Sequence, residues 1–292
     1  MNIIRNLPGP LLIFLGALSL SFGGLIVKSF EGATLWQILF WRSLFFSLTV
    51  LAFLTFSYKK KIFKAFYDSG LPGFIGGIIL SFGFCGYVFA MYNTTVANTN
   101  FIISLQILFL AIFGYFFLKE KINTITLTSI VLAMTGVLVM VGNSLTPGEL
   151  SGNLAAFTMP ITFAVLIMIV RKFPTVDMVP AQFIAGISSC LIGFLLSTQI
   201  MISPNDIFLG FLAGFFQVGF GFIFITIGAR TTPSAMVGII MLSESVLGPI
   251  WAFLFVSERP SNFGLIGGAI ILSAVLLQFY TLLNKNKKNL SN

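Results

Sequence analysis

The sequence predicts an all-α integral membrane protein of ten transmembrane helices, arranged as two inverted five-helix repeats. Three observations carry that reading. The 292 residues are 57% hydrophobic and only 8% charged, against about 25% charged in soluble domains. Apolar runs long enough to span a bilayer fill most of the chain. The second half also repeats the first at a nearly fixed offset. A soluble two-domain protein, which length alone would allow, is excluded by the first two.

The ten apolar segments lie near Leu11–Val27, Leu35–Ser57, Leu71–Met91, Ala97–Leu118, Thr124–Val141, Gly152–Val170, Met178–Ile200, Ile207–Gly228, Ser234–Val256 and Phe263–Leu283. The first has no small-residue cleavage site before Lys28, so it reads as mature structure and not as a signal peptide. Pro160 and Pro249 fall inside the sixth and ninth segments. A membrane helix tolerates proline when neighbours re-satisfy the freed carbonyl, and a local kink is expected at each.

Orientation follows from the basic residues. With a cytoplasmic N-terminus, one side receives Arg5, Lys59, Lys60, Lys61, Lys64, Lys119, Lys121, Arg171, Lys172, Arg230 and the tail lysines Lys285, Lys287 and Lys288. The other side receives only Lys28 and Arg259, and Arg42 sits inside the second segment. The bias places both termini in the cytoplasm of a multi-pass protein of the cytoplasmic membrane, which requires an even number of spans. The net charge of +8 is then a matter of loops and a tail facing anionic lipid. It does not point to nucleic acid.

The repeat is clearest where Leu105–Lys121 superimposes on Ser243–Arg259. A constant shift of 138 puts Gln106 on Glu244, Phe113 on Trp251, Phe117 on Phe255 and Glu120 on Glu258. The same shift puts Phe82-Gly83-Phe84 on Phe220-Gly221-Phe222 and Thr94 on Thr232, while a shift near 143 at the front puts Lys28 on Arg171. Residues 1–145 and 146–292 therefore read as two units of five spans. Because five is odd, the second unit enters the membrane from the opposite side, and Glu120 and Glu258 end helices on opposite faces. Inverted repeats recur in secondary transporters, with the substrate site near the midplane between the halves. A duplicated scaffold or membrane sensor is one alternative. A passive channel is another, and a continuous polar stripe along several helices would mark it.

Other chemistries lack their residues. There is no phosphate-binding G-x-x-x-x-G-K-[ST] loop and no soluble segment large enough for an ATPase domain. The chain has no histidine, and its two cysteines, Cys85 and Cys190, sit inside separate apolar runs. No catalytic constellation, metal site or cofactor site is expected, so the protein does not read as an enzyme.

Two stretches carry a family resemblance. E-S-V-L-G-P-I-W-A-F-L-F-V-S-E-R-P, from Glu244 to Pro260, resembles the ninth-helix pattern of EamA-type members of the drug/metabolite transporter superfamily. L-F-L-A-I-F-G-Y-F-F-L-K-E-K-I, from Leu108 to Ile122, resembles the matching fourth-helix pattern, and W-R-S-L at Trp41–Leu44 resembles their arginine-bearing second helix. The similarity extends over nearly the whole chain. Where the family often has proline, this chain has Ile107 and Ser245, although Pro249 supplies one a turn later in the second half. The resemblance implies a permease or exporter of a small metabolite, usually an amino acid or related solute. Its partners would be that solute, the bilayer and, if coupled, protons. The fused halves would let one chain work alone.

Intramembrane polar groups are the candidate site, because each is costly unless paired or wetted. Glu244 is a proton-coupling group, a counter-charge for a substrate ammonium, or a structural partner for Arg42 or helix backbone. Gln106 hydrogen-bonds a solute or a facing helix. Arg42 captures a carboxylate, or anchors its helix by snorkelling, the simpler reading because Ala185 aligns approximately opposite it. Trp251 lies two turns after Glu244 and about 20° round, so both can face one cavity. The resemblance implies that the third, fourth, eighth and ninth helices surround the path, which adds Tyr87, Gln217 and Asn98.

Overall fold

The computed structural model describes residues 7–94, 96–141, 150–256 and 262–290, and among these every regular element is helical. The helices are α1 (Gly9–Leu20), α2 (Gly23–Lys28), α3 (Leu35–Tyr58), α4 (Ile62–Asn93), α5 (Val96–Ser104), α6 (Gln106–Leu118), α7 (Thr124–Val141) and α8 (Leu150–Ala156). They continue with α9 (Thr158–Lys172), α10 (Val179–Leu196), α11 (Pro204–Phe211), a π-helical stretch (Leu212–Phe220), α12 (Gly221–Ala229), α13 (Ser234–Met241), α14 (Ser243–Val256) and α15 (Asn262–Leu290). Each predicted apolar segment falls mainly on helix. Among the described residues, five stretches are long and apolar enough to cross a membrane: Gly9–Lys28, Leu35–Asn93, Leu150–Lys172, Val179–Leu196 and Pro204–Ala229. Shorter apolar helices accompany them at Ile102–Leu118, Thr124–Val139, Ser234–Gly248 and Leu265–Gln278. Glu258 and Arg259 lie outside the described residues.

Several predicted spans are interrupted. Gly70 has φ 52° and ψ −154°, a conformation open essentially to glycine alone. It divides α4 into residues 62–69 and 71–93. Pro72 then falls in the first turn of the second piece, where its missing N–H leaves nothing unpaired. The fourth and ninth segments break at Leu105 and Leu242, between α5 and α6 and between α13 and α14. Each break is a tightened turn: Leu105 N–H donates to Ile102 O at 3.1 Å, and Leu242 N–H donates to Ile239 O at 3.2 Å. These breaks form without proline at Ile107 or Ser245. Helix α14 continues through Pro249, and a break lies upstream at Leu242. Near Pro160 the break falls at Phe157, which leaves the proline in the first turn of α9.

The packing joins the front of the chain to the back. Helix α1 packs on α12, α3 on α10, α4 on α9, α6 on α13 and α7 on α15. In terms of the ten segments, the first meets the eighth, the second the seventh, the third the sixth, the fourth the ninth and the fifth the tenth. Exchanging the two halves maps this pattern onto itself. The central contacts are aromatic. Phe84 and Phe222, equivalent under the 138-residue shift, pack edge-to-face with centroids 5.0 Å apart, and Phe46 and Phe163 pack on Phe222 at 6.3 Å and 6.0 Å.

The left-handed backbone at Gly70 gives the first prediction. Gly70→Ala should destabilise the protein by about 1–3 kcal/mol. Gly32→Ala, whose added Cβ meets nothing within 4 Å, should be nearly neutral. Thermal unfolding of the two variants in detergent decides it, and equal midpoints would remove the strain argument.

Candidate functional site

The interrupted helices bring polar side chains together at the centre of the bundle. A cavity of about 20 Å³ is lined by Leu20, Arg42, Tyr87, Ile103, Gln106, Met159, Phe163, Gln217, Phe222, Met241 and Glu244. Five sequence candidates meet there: Arg42, Tyr87, Gln106, Gln217 and Glu244. Three of them are presented by a specific local feature. Gln106 opens α6 directly after the break at Leu105, and Glu244 lies in the first turn of α14 after the break at Leu242. Gln217 projects from the π-helical stretch, a local widening that recurs at functional sites because it re-aims side chains. Gly23 opens α2 so close to this wall that an added Cβ would lie 2.6 Å from Gln217 Nε2 and 2.7 Å from the Tyr87 hydroxyl.

Arg42 does not snorkel. It is only 3% exposed, and its guanidinium lies 5.1 Å from the Tyr87 ring centroid and 5.3 Å from that of Phe84. Such cation–π contacts carry part of the cost of a desolvated charge. Its Nε has no hydrogen-bond partner, and neither has Gln217 Oε1. Among the described residues, neither Arg42 nor Glu244 forms an ion pair. The expectation that Glu244 serves as a structural partner of Arg42 is therefore not met in this geometry. Two opposite charges and three polar groups face one space without satisfying each other, an arrangement that needs a further partner to balance it.

That space holds about one water, and aromatic layers bound it on both sides. Phe46 follows Arg42 by one turn, Phe84 precedes Tyr87, and Phe222 follows Gln217, all displaced toward the end bearing Lys59–Lys61. Phe22, Phe216 and Trp251 are displaced the other way. Phe22 stacks on Trp251 at 4.6 Å and meets Phe216 edge-on at 5.5 Å. Trp251 is thus not brought into the cavity: its indole N–H donates to Ser21 Oγ at 2.7 Å, and it covers the turn between α1 and α2. Asn98 belongs to α5, and its side chain lies outside the described residues. A larger cavity, about 360 Å³, opens at the basic end beside Tyr58, Asp68, Asp177 and Arg230 and contains none of the predicted residues.

Sequence reasoning missed the apolar wall formed by Leu20, Ile103, Met159, Phe163 and Met241. In a chain this rich in such residues, no local signal separates wall from packing. Phe222 was marked by the repeated F-G-F triplet. The turn after Leu20 had one as well, in Ser21-Phe22-Gly23-Gly24.

The sequence pattern of the EamA-like transporter family matches residues 7–142 and again residues 146–280. The chain belongs to the EamA-like transporter family. Its family and its long apolar helices are those of a multi-pass membrane protein. A curated relative, an uncharacterized transporter of Methanothermobacter thermautotrophicus, is 27% identical over 206 residues. The match takes in 64% of this chain and 58% of the length of that relative. A crystal structure described only as that of a protein superposes on 95% of this chain and 98% of its own, with a TM-score of 0.77 at 19% identity, a likeness of fold alone.

The two Trp251 contacts are separable. Trp251→Phe keeps a stack on Phe22 and loses the bond to Ser21, and should cost about 1 kcal/mol. Trp251→Ala loses both and should cost roughly 2–3 kcal/mol, since the side chain is partly exposed. Unfolding midpoints in detergent measure the difference, and equal losses would show that the stack contributes nothing.

Proposed function

We propose that this protein is a secondary transporter that carries a small zwitterionic metabolite, of the amino-acid class, across the cytoplasmic membrane by alternating access. The observation that carries this reading is the convergence of unpaired Arg42 and Glu244, with Tyr87, Gln106 and Gln217, on one closed cavity. A carboxylate suits the guanidinium of Arg42. An ammonium group suits Glu244, and each charge on the protein is then neutralised by the solute rather than by its neighbour. Alternating access is favoured over a channel because aromatic layers close the polar site above and below.

In this reading ten crossings form two inverted five-helix halves, residues 1–145 and 146–292. The exchange-symmetric packing supports it, as does the meeting of repeat-related pairs, Gln106 with Glu244 around the cavity and Phe84 with Phe222 beneath it. The basic end is cytoplasmic, with both termini on that side. Glu244 also couples transport to protons: it exchanges a proton when the solute leaves, so that a pH gradient drives net flux. A single chain supplies both halves of the path.

Two outcomes are expected in proteoliposomes. A panel of radiolabelled amino acids should include at least one solute whose flux rises with an imposed pH gradient. No flux for any member would end the zwitterion reading. Glu244→Gln should abolish the response to the gradient while leaving counterflow exchange measurable. Gradient-driven flux that survives unchanged would remove Glu244 as the coupling group.

A further inference from the structure

The basic end holds a polar cluster separate from the central cavity. Helix α6 ends at Leu118, and Lys119 turns the chain back in the left-handed conformation, with φ 54° and ψ 31°. Lysine adopts this region only at a cost, and the turn is closed by a bond from Glu120 N–H to Gly114 O at 3.0 Å. Its effect is to direct the Glu120 carboxylate back across the seam between α6 and α13. There Oε1 accepts from Arg171 Nε at 2.8 Å and pairs with Nη2 at 2.7 Å. Oε2 accepts from the backbone N–H of Ser234 at 2.8 Å, at the positive end of α13. Arg171 Nη1 donates to Arg230 O at 3.1 Å, and Arg230 Nε donates to Pro174 O at 2.8 Å. One carboxylate therefore ties the ends of α6, α9 and α12 to the start of α13.

The seam it crosses runs from the cavity to this end, beside the Phe46, Phe84 and Phe222 layer. Helices α6 and α13 touch backbone to backbone there: a Cβ on Gly238 would lie 2.8 Å from the Ile107 Cα. Gln106 and Met241, on either side of that contact, both line the cavity. Opening the cavity toward the basic end along this seam separates α6 from α13, and that separation breaks the Glu120 bonds. Both partners are partly exposed, at 20% for Arg171 and 16% for Glu120, so water can replace each bond as it opens. A pair of this kind can be made and broken within a cycle, which a fully desolvated pair resists.

We propose that Glu120 and Arg171 form the latch of the basic-end gate: the carboxylate must leave Arg171 and the Ser234 N–H for the central cavity to open on that side, and its return closes it. The proposal rests on the alternating-access reading and assigns Glu120 a role beyond ending a helix. Glu120 and Arg171 are gating residues that touch no solute.

The test reads the gate without any solute. In a Cys85→Ser, Cys190→Ser background, Met241→Cys reports access to the cavity. Its labelling by a membrane-impermeant maleimide is timed in right-side-out and in inside-out vesicles, with Ile103→Cys as a second reporter. Glu120→Gln should raise the labelling rate from the basic side about tenfold, by shifting the population toward the open state, and should not raise it from the other side. Arg171→Gln should do the same, which guards against a folding defect in either variant. Sided labelling that neither substitution moves would overturn the latch. So would a rise from both sides with a lower unfolding temperature, which marks a brace for the fold. If the reporters in the latch-intact protein label from neither side, or are open to both at once, alternating access itself is overturned, and the latch with it.

Discussion

A polar group without a partner inside hydrocarbon costs several kcal/mol, and the breaks in this bundle are built around that constraint. Interrupting a helix frees backbone carbonyls, and beside four of the breaks a hydroxyl bonds to a carbonyl three or four residues back. Ser21 Oγ donates to Leu18 O at 2.6 Å beside the turn that ends α1. Ser104 Oγ donates to Asn100 O at 2.8 Å before the break at Leu105. Thr158 Oγ1 donates to Ala155 O at 2.7 Å after Phe157, and Ser243 Oγ donates to Ile240 O at 2.5 Å after Leu242. These serine and threonine side chains bond to their own helix backbone beside the breaks. The Ser104 and Ser245 hydroxyls, 2.8 Å apart, also join the two central breaks to each other.

With the backbone satisfied, the uncompensated polar groups at the centre stand out as a set. Arg42, Tyr87, Gln106, Gln217 and Glu244 approach the same small space from five different helical stretches. The fold spends its hydroxyls on carbonyls at the breaks and leaves these longer side chains free to point inward. A structural role would be better served by pairing Arg42 with Glu244 directly, since breaking such a buried pair is strongly destabilising. The structure keeps them apart, with an aromatic face beneath the guanidinium instead.

Much of this was legible in the sequence. Charge scarcity and run length gave the helices, and the fixed offset identified Gln106 with Glu244 and Phe84 with Phe222 as related positions before either pair was seen to meet. Five of the seven candidate residues line the cavity because an intramembrane polar side chain has few other places to go. Trp251 was misplaced for a physical reason. Helical phase put it on the same face as Glu244, but two turns along α14 that face meets the turn at Ser21–Phe22, which closes the space first. The breaks at Leu105 and Leu242 were not legible, because the signal sought was proline and the device used was a tightened turn with a hydroxyl. The Glu120 cluster was also hidden. Its members lie at separate helix ends, and only the packing of α6, α9, α12 and α13 brings them within bonding distance.

Under the proposed inverted repeat, the symmetric frame and the asymmetric charges do different work. A frame that maps onto itself when its halves are exchanged has two conformations, open to either side, that are close in energy by construction. Any preference between them must come from groups that break the symmetry. Glu244 faces Gln106 across the repeat, and Arg42 has buried Ala185 near its equivalent place, so each charge at the cavity lacks a counterpart in the other half. Their interaction with solute and proton therefore differs between the two conformations, and a ligand shifts such an equilibrium only through that difference. Replacing Gln106 by a second carboxylate would make the site more symmetric and more costly, and would weaken the bias. The glutamine is thus as much a part of the device as the glutamate it mirrors.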